Sequence, residues 1–319
     1  MLLPPVTFIR SLEELRSSAQ PLHLALGVFD GVHAGHRAVL LCAVEEARKC
    51  GGLAGLLTFD PHPIRVIAPN KAPQSLLTTL GQKARIASSL GVEVFAPIHF
   101  DLEMAALPAA EFVRLLLRAP VRSISVGEDW RFGHDRSGDV NLLSAESARL
   151  GFVLHAVPPV MFEGDRISST RIRQALRDGN LAAARAMLLR DHSVVGKVIR
   201  GDGLGRQLGF PTANLDPGEA QLPQDGVWAV RADIGDGILR PAVANLGFRP
   251  TIGSATHRFE THLIDFQGDL YDREIEVGFL ARLRGEQRFE SAGALARQVG
   301  KDIAAAAEIL GNTAPKTGA

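Results

Sequence analysis

Between residues 22 and 160 short apolar runs alternate with stretches of helical period, a pattern that demands a parallel sheet covered by helices. The runs fall at 22–29, 53–59, 92–100, 123–127 and 152–160, which predicts five parallel strands. Four of the five intervals carry helical spacing, as in Ala38, Leu41, Ala43 and Val44 after the first run. Open parallel sheets bind ligands beyond the carboxyl ends of their strands. The segments after Phe29, Phe59 and Gly127 should therefore converge on one site.

Two further helical stretches, 169–178 and 181–189, close this half, and from Val194 the sequence becomes β-rich. Runs at 194–199, 226–232, 241–246, 259–266 and 274–283 are separated by glycine, proline and aspartate rather than by helices, the spacing of an antiparallel barrel. A last helix over about 291–310 would cap it, and the tail 312–319 is expected to fray. The length of 319 residues suits two domains at about 100 to 200 residues each. The boundary is placed near residue 185, giving domains 1–184 and 185–311.

Composition narrows the function classes. The 35 basic and 35 acidic side chains cancel, so no global field attracts nucleic acid or an anionic membrane, and any polyanion site must be local. The only cysteines, Cys42 and Cys50, lie eight apart on one helical stretch, about 12 Å at 1.5 Å per residue, too far to bridge. The first ten residues are interrupted by Pro4 and Pro5 and do not read as a signal peptide, and no apolar run approaches the ~20 residues that span a bilayer. The cytoplasm is the expected compartment.

The first strand runs into Gly27-Val28-Phe29-Asp30-Gly31-Val32-His33-Ala34-Gly35-His36, after which a helix begins. A helix amino terminus offers free amide hydrogens and a partial positive charge, glycine admits close approach, and two imidazoles can donate to phosphate oxygens. The string is neither a Walker loop nor a dinucleotide fingerprint. Incidental loop histidines are the plain alternative. A rival functional reading makes His33, His36, Asp30, Asp60 and His62 ligands of a catalytic metal in a hydrolase.

That string resembles the nucleotidylyltransferase signature, and more specifically the amino-terminal module of the bacterial bifunctional riboflavin kinase/FAD synthetase family. Three later segments match the family in order: Thr58-Phe59-Asp60-Pro61-His62-Pro63, Val126-Gly127-Glu128-Asp129-Trp130-Arg131-Phe132-Gly133 and Ile167-Ser168-Ser169-Thr170-Arg171-Ile172-Arg173. Trp130 stands where phenylalanine is usual. Read alone, Ser169 and Thr170 are helix caps and Asp60-Pro61-His62-Pro63 is a rigid turn. The resemblance implies phosphate-holding roles in catalysis for His33, His36, Arg166 and Arg173, ATP binding by Gly27, Phe29, Gly35, Asp129, Ser169 and Thr170, and flavin contact at Asp60 and His62. Guanidinium groups suit the charge at a reacting phosphorus.

In the second half, Gly203-Leu204-Gly205-Arg206-Gln207-Leu208-Gly209-Phe210-Pro211-Thr212-Ala213-Asn214 mimics a cofactor loop, but Pro211 and the extended residues after it exclude a following helix. Thr212 and Asn214 share one strand face, where they either form a polar edge or ligate one magnesium ion. Pro-Thr-Ala-Asn is a hallmark of riboflavin kinase, and by that resemblance Glu260, in the stretch 259–266, is the catalytic base. The resemblance also implies ATP binding at Gly203, Gly205 and Gly209 and flavin contact at Arg284. The stretches 245–251 and 271–284 follow the kinase pattern as well. Leu189-Arg190-Asp191-His192 and Trp228 depart from it without touching a metal ligand or the base.

The expected fold is thus α/β plus β: an amino-terminal Rossmann-like nucleotidylyltransferase domain with a parallel sheet, and a carboxyl-terminal antiparallel β-barrel kinase domain with a capping helix. The resemblance implies two reactions, riboflavin with ATP to FMN and FMN with ATP to FAD and pyrophosphate, with Mg2+ as cofactor and ATP as co-substrate. Riboflavin, FMN and ATP are the expected partners, with neither nucleic acid nor membrane, and the chain is expected to be a monomer or weak homo-oligomer. A metal-dependent hydrolase and a non-catalytic flavin-binding protein are the competing classes.

Overall fold

The computed structural model describes residues 6–201, 203–251 and 254–312. Residues 1–5 and, of the tail 312–319 expected to fray, all but Asn312 lie outside them; Asn312 is the last residue of the final helix. The chain divides into two compact units, residues 1–169 and 170–319.

The first unit runs β1 (Thr7–Phe8), α1 (Leu12–Arg16), β2 (Leu22–Leu26), α2 (Ala34–Cys50), β3 (Leu53–Asp60), α3 (Pro63–Ile67), α4 (Leu80–Ser89), β4 (Val94–His99), α5 (Leu102–Ala106), α6 (Ala109–Leu116), β5 (Val121–Gly127), α7 (Val140–Leu150), β6 (Val153–Val157), and a small hairpin of β7 (Met161–Phe162) and β8 (Asp165–Arg166). The main sheet is parallel throughout, in the order β1-β4-β3-β2-β5-β6. All five residues of β2 are buried, as a central strand covered on both faces requires. On α2 the buried residues Val39, Leu40, Ala43, Val44 and Ala47 form the stripe that packs on the sheet.

Five of these strands are the ones expected from the apolar runs; β1 is added as a sixth. Two residues are too short to show a period, and Thr7–Phe8 joins the edge only through its pairing with Val94 and Phe95. The order reverses at β2: the chain leaves it to one side through β3 and β4 and returns on the other through β5. That reversal opens a crevice beyond the carboxyl ends of β2 and β5.

The second unit contains nearly all of α8 (Ser169–Arg177), then α9 (Leu181–Leu188), β9 (His192–Ile199), α10 (Leu204–Gln207), β10 (Ala213–Asp216), β11 (Gly226–Asp233), β12 (Arg240–Thr251), β13 (Ser254–Leu263), β14 (Glu274–Arg284) and α11 (Ala292–Asn312). The six strands close as β10-β13-β12-β11-β14-β9, every pair antiparallel. Trp228, Val230, Phe259, Val277 and Phe279 fill the interior. Trp228 is fully buried, and its indole N–H is satisfied by the Gln224 carbonyl at 3.1 Å. The short helix α10 lies inside the glycine-rich stretch, before Pro211; as expected, none follows that proline. On the outer surface Val227, Ala229 and Val243 pack with Ala306 and Leu310 of α11, the expected cap.

Candidate active sites

The first site is built on the turn between β2 and α2. Phe29 and Val32 both adopt left-handed backbone, with φ of 53° and 39°. For non-glycine residues each such conformation costs about 1–3 kcal/mol and persists only where its surroundings enforce it. Here the Asp30 carboxylate, 4% exposed, accepts the backbone N–H groups of Leu77 (3.0 Å) and Thr78 (3.1 Å), while the Thr78 hydroxyl accepts from Gly31 N–H at 3.0 Å. Ser169, the first residue of α8, donates its hydroxyl to the Asp30 carbonyl at 2.9 Å.

His33 caps α2: its Nδ1 accepts the His36 N–H at 3.3 Å, which places the ring proton on Nε2. The two imidazoles stack with centroids 3.6 Å apart, and the Phe29 ring meets His36 edge-on at 5.3 Å. A side chain at Gly35 would press on the His33 ring at 3.2 Å, so the glycine makes room for the stack. Gly27 likewise lies against the Phe29 ring.

Beyond β5, Asp129 forms an ion pair with Arg166 of β8, both exposed. Thr170 and Arg171 follow Ser169 in the first turn of α8, and buried Arg173 comes one turn later. The metal-hydrolase reading fails on this geometry. Asp30 is turned toward backbone amides, His33 and His62 each accept a helix-capping N–H at Nδ1, and among the described residues no three His, Cys, Asp or Glu side chains gather to hold a metal. Asp60 and His62 instead precede α3, whose Ile64 N–H is capped by His62.

Sequence reasoning missed an aromatic cluster, part of the core of this unit. Phe59 at the end of β3, Phe100 after β4, Phe112 on α6, and Phe132 and Trp130 after β5 form a chain of ring contacts with centroids 4.4–6.2 Å apart, and Trp130 and Phe132 stack at 11°. The available signal was positional, because Phe59 and Phe100 sit at the carboxyl ends of β3 and β4, and Trp130 and Phe132 lie in the segment after β5.

The second site lies on the outer face of the barrel, in a cavity of about 330 Å³. Register decides what faces it: Asn214 of β10 and Asn245 of β12 lie directly opposite Glu260 of β13, so the three form one polar row across adjacent strands. Alternation puts Arg258 and His262 on the same face as Glu260. Arg258 donates to the Glu260 carboxylate at 3.1 Å, and His262 Nδ1 contacts the Pro211 carbonyl at 2.8 Å, holding the segment that carries Thr212 just before β10. Gly203, Gly205, Thr212 and Asn214 line the cavity with them, whereas Gly209 does not. At Gly205 a Cβ would strike the Phe210 carbonyl at 2.5 Å, so that glycine is required for the loop to fold back.

The far wall comes from α11 and the segment before it. Arg284 is bound through Nε and Nη2 to Asp302 at 2.8–3.1 Å, Gln298 completes the carboxylate, and Phe289 lies under the guanidinium at 5.6 Å. Asp302 is buried and Arg284 is largely covered, so removing the carboxylate strands the guanidinium. Asp302→Ala should destabilise the barrel unit by about 3 kcal/mol, read as a lowered denaturation midpoint; Asp302→Ala with wild-type stability would show that the pair does not hold α11. A second cavity of about 410 Å³, lined by Val198, Arg206, Ala213, Phe266, Leu270 and Tyr271 among others, lies on the other side of Thr212, which lines both. No sequence pattern pointed to it.

A strained turn leading into a helix amino terminus at the switch point of a parallel sheet, and a carboxylate beside hard oxygen donors on a separate barrel, fit a two-site nucleotide-dependent transferase. The comparisons narrow the class. Residues 15–171 match the FAD synthetase family and residues 188–310 the riboflavin kinase family. The bifunctional riboflavin kinase/FMN adenylyltransferase of Escherichia coli strain K12 is 40% identical over 311 residues, covering 96% of this chain and 99% of that protein. Its Bacillus subtilis counterpart is 32% identical, over 88% and 89% of the two chains. The chain belongs to the bifunctional riboflavin kinase/FMN adenylyltransferase family. A solved structure described as a macrolide-efflux protein from Streptococcus pneumoniae superimposes with a TM-score of 0.82 at 30% identity, covering 93% of this chain and 97% of that one. Among the described residues no helix is long and apolar enough to cross a membrane.

Proposed function

We propose that this chain makes FMN from riboflavin and ATP on its barrel, and FAD from FMN and a second ATP on its parallel-sheet unit. The observation that carries the reading is the Asn214–Glu260–Asn245 row facing a cavity whose rim is the Gly203–Gly205 loop. The first reaction is assigned to residues 185–311 and the second to residues 1–184. That division falls in the interval 172–187 between the two family matches, whereas contacts alone group α8 and α9 with the barrel.

On the barrel, Glu260 takes the proton of the ribityl 5′-hydroxyl as the oxygen attacks the γ-phosphoryl group, and ADP leaves. Arg258 orients the carboxylate. The Thr212 hydroxyl and Asn214 amide oxygen are neutral, hard donors two residues apart on one face, a set that fits Mg2+ held mainly by phosphates and water. Bound there, the ion would neutralise charge on the phosphates. The cavity beneath α11 takes the flavin, and the one beyond Thr212 takes the adenine end of ATP, so that the phosphates cross the Thr212 wall beside Gly203 and Gly205.

On the sheet unit, an FMN phosphate oxygen attacks the α-phosphorus of ATP and pyrophosphate departs. His33 and His36, with Arg166 and Arg173, hold phosphate oxygens as charge shifts to the leaving group, while Gly27, Phe29, Gly35, Asp129, Ser169 and Thr170 shape the ATP side. The half-buried Phe59, which precedes Asp60, and Trp130, backed by the buried Phe132, offer the isoalloxazine ring an apolar surface. The cytoplasm, where ATP and flavins are held, is the compartment this reading assigns.

Chromatography of riboflavin, ATP and Mg2+ incubated with the pure protein tests the reading. FMN and then FAD are expected, with ADP and pyrophosphate as co-products. Retained flavin with no ATP consumed would leave only a binding protein.

A further inference from the structure

Lys83 on α4 is 5% exposed and enters none of the steps above. Its Nζ donates to the Val28 carbonyl at 2.8 Å and to the Thr58 hydroxyl at 3.4 Å, and that hydroxyl itself donates to the Val28 carbonyl at 2.9 Å. Val28 and Asp30 flank the left-handed Phe29. The segment 77–83 therefore grips the turn on both sides of its strained residue: the amides of Leu77 and Thr78 hold the Asp30 side chain, and Lys83 holds the Val28 carbonyl. Thr79 and Gln82 close a reciprocal cap on α4, so the gripping element is itself fixed at its start.

We propose that Lys83 is a positioning residue of the adenylyl-transfer site: its ammonium locks the turn that presents His33 and His36, and it offsets the carboxylates of Asp30 and Asp60 behind a site that must accept a polyanion. The inference rests on the assignment of adenylyl transfer to this turn.

Electrostatics give the idea a readable consequence. Burial lowers the Lys83 ammonium to about 8 against the opposing, upward pull of Asp30, from the turn after β2, and Asp60, from the end of β3. On neighbouring β4, His99 lies opposite Asp60; β2 leads to the Val28 carbonyl. In the free enzyme the positive charge is present below pH 8 and lost as pH rises through it, which removes one countercharge from near Asp30 and Asp60. Bound triphosphate favours the charged form, so the loss falls on kcat/KM for ATP, which reports the free enzyme, more than on kcat.

The test measures FAD formation from FMN and ATP by the full chain from about pH 7 to 9.5, for the wild type, Lys83→Met and His36→Ala, with riboflavin phosphorylation by the same preparations as the control for ATP ionisation. We expect wild-type kcat/KM for ATP to bend downward above pH 8 with kcat changing less. Lys83→Met should show a KM for ATP raised about tenfold or more, without the bend, and with FMN formation unchanged. A flat wild-type profile, or a Lys83→Met enzyme with wild-type KM and the same bend, overturns the proposal. Should Lys83→Met lose the fold of its sheet unit, Lys83→Arg decides together with the wild-type profile: a charge that never titrates should restore activity and abolish the bend, and a bend that survives it overturns the role. Full FAD synthesis by His36→Ala would overturn the location of the site itself, a failure distinct from that of Lys83.

Discussion

Glu260→Gln should lower kcat for FMN formation by about 10²–10⁴-fold while FAD formation from supplied FMN stays at the wild-type rate. Glutamine keeps the length and planarity of the side chain, and one oxygen remains for Arg258, so the Asn214–Glu260–Asn245 row and the cavity survive. Only the capacity to receive a proton is removed. The signature is therefore a fall in kcat with little change in KM for riboflavin or ATP, since an interaction made in the transition state is lost and ground-state binding is spared. Equal loss of both activities, or a change confined to KM, would reject Glu260 as the base.

The mirror experiment is His36→Ala, expected to cut FAD formation by about 10²–10³-fold and to leave FMN formation intact, so that riboflavin and ATP yield FMN alone. This substitution is cleaner than His33→Ala. His33 also caps α2 through Nδ1, and its loss should add about 1 kcal/mol of destabilisation to whatever chemistry it removes. His36 contributes only its backbone N–H to that cap. A His36→Ala enzyme that still makes FAD at the wild-type rate would detach the histidine pair from the reaction.

How far the sequence foretold these sites depends on how locally each is encoded. Continuous apolar runs announced the buried strands, and a glycine-rich string between a strand and a helix announced the turn, because backbone geometry there demands particular residues at consecutive positions. Thr212 and Asn214 were placed on one face by simple alternation. Partnerships across long separations were not legible. Nothing near Asp30 says that its carboxylate holds Leu77 and Thr78, which is why a metal ligand set was a reasonable rival for five residues that the fold sends to other tasks. Asn245 joins Glu260 only through strand register, and the Phe59–Trp130 aromatic cluster gathers rings from strand ends and from α6 that lie far apart in the chain. Lys83 reads as an ordinary helical lysine until packing buries it.

The alternation along β13 carries a consequence for how such a barrel can change. Phe259, Thr261 and Leu263 face the packed interior, and Arg258, Glu260 and His262 face the cavity, so thermal robustness and turnover are written on opposite sides of one ribbon. Interior residues can be exchanged for others of like volume without disturbing the reacting groups. A slip of one position along the ladder would instead set a phenylalanine ring where the base belongs and drive a carboxylate into the oily centre. The pairing of this strand with its neighbours is thus as much an instruction for phosphoryl transfer as for folding.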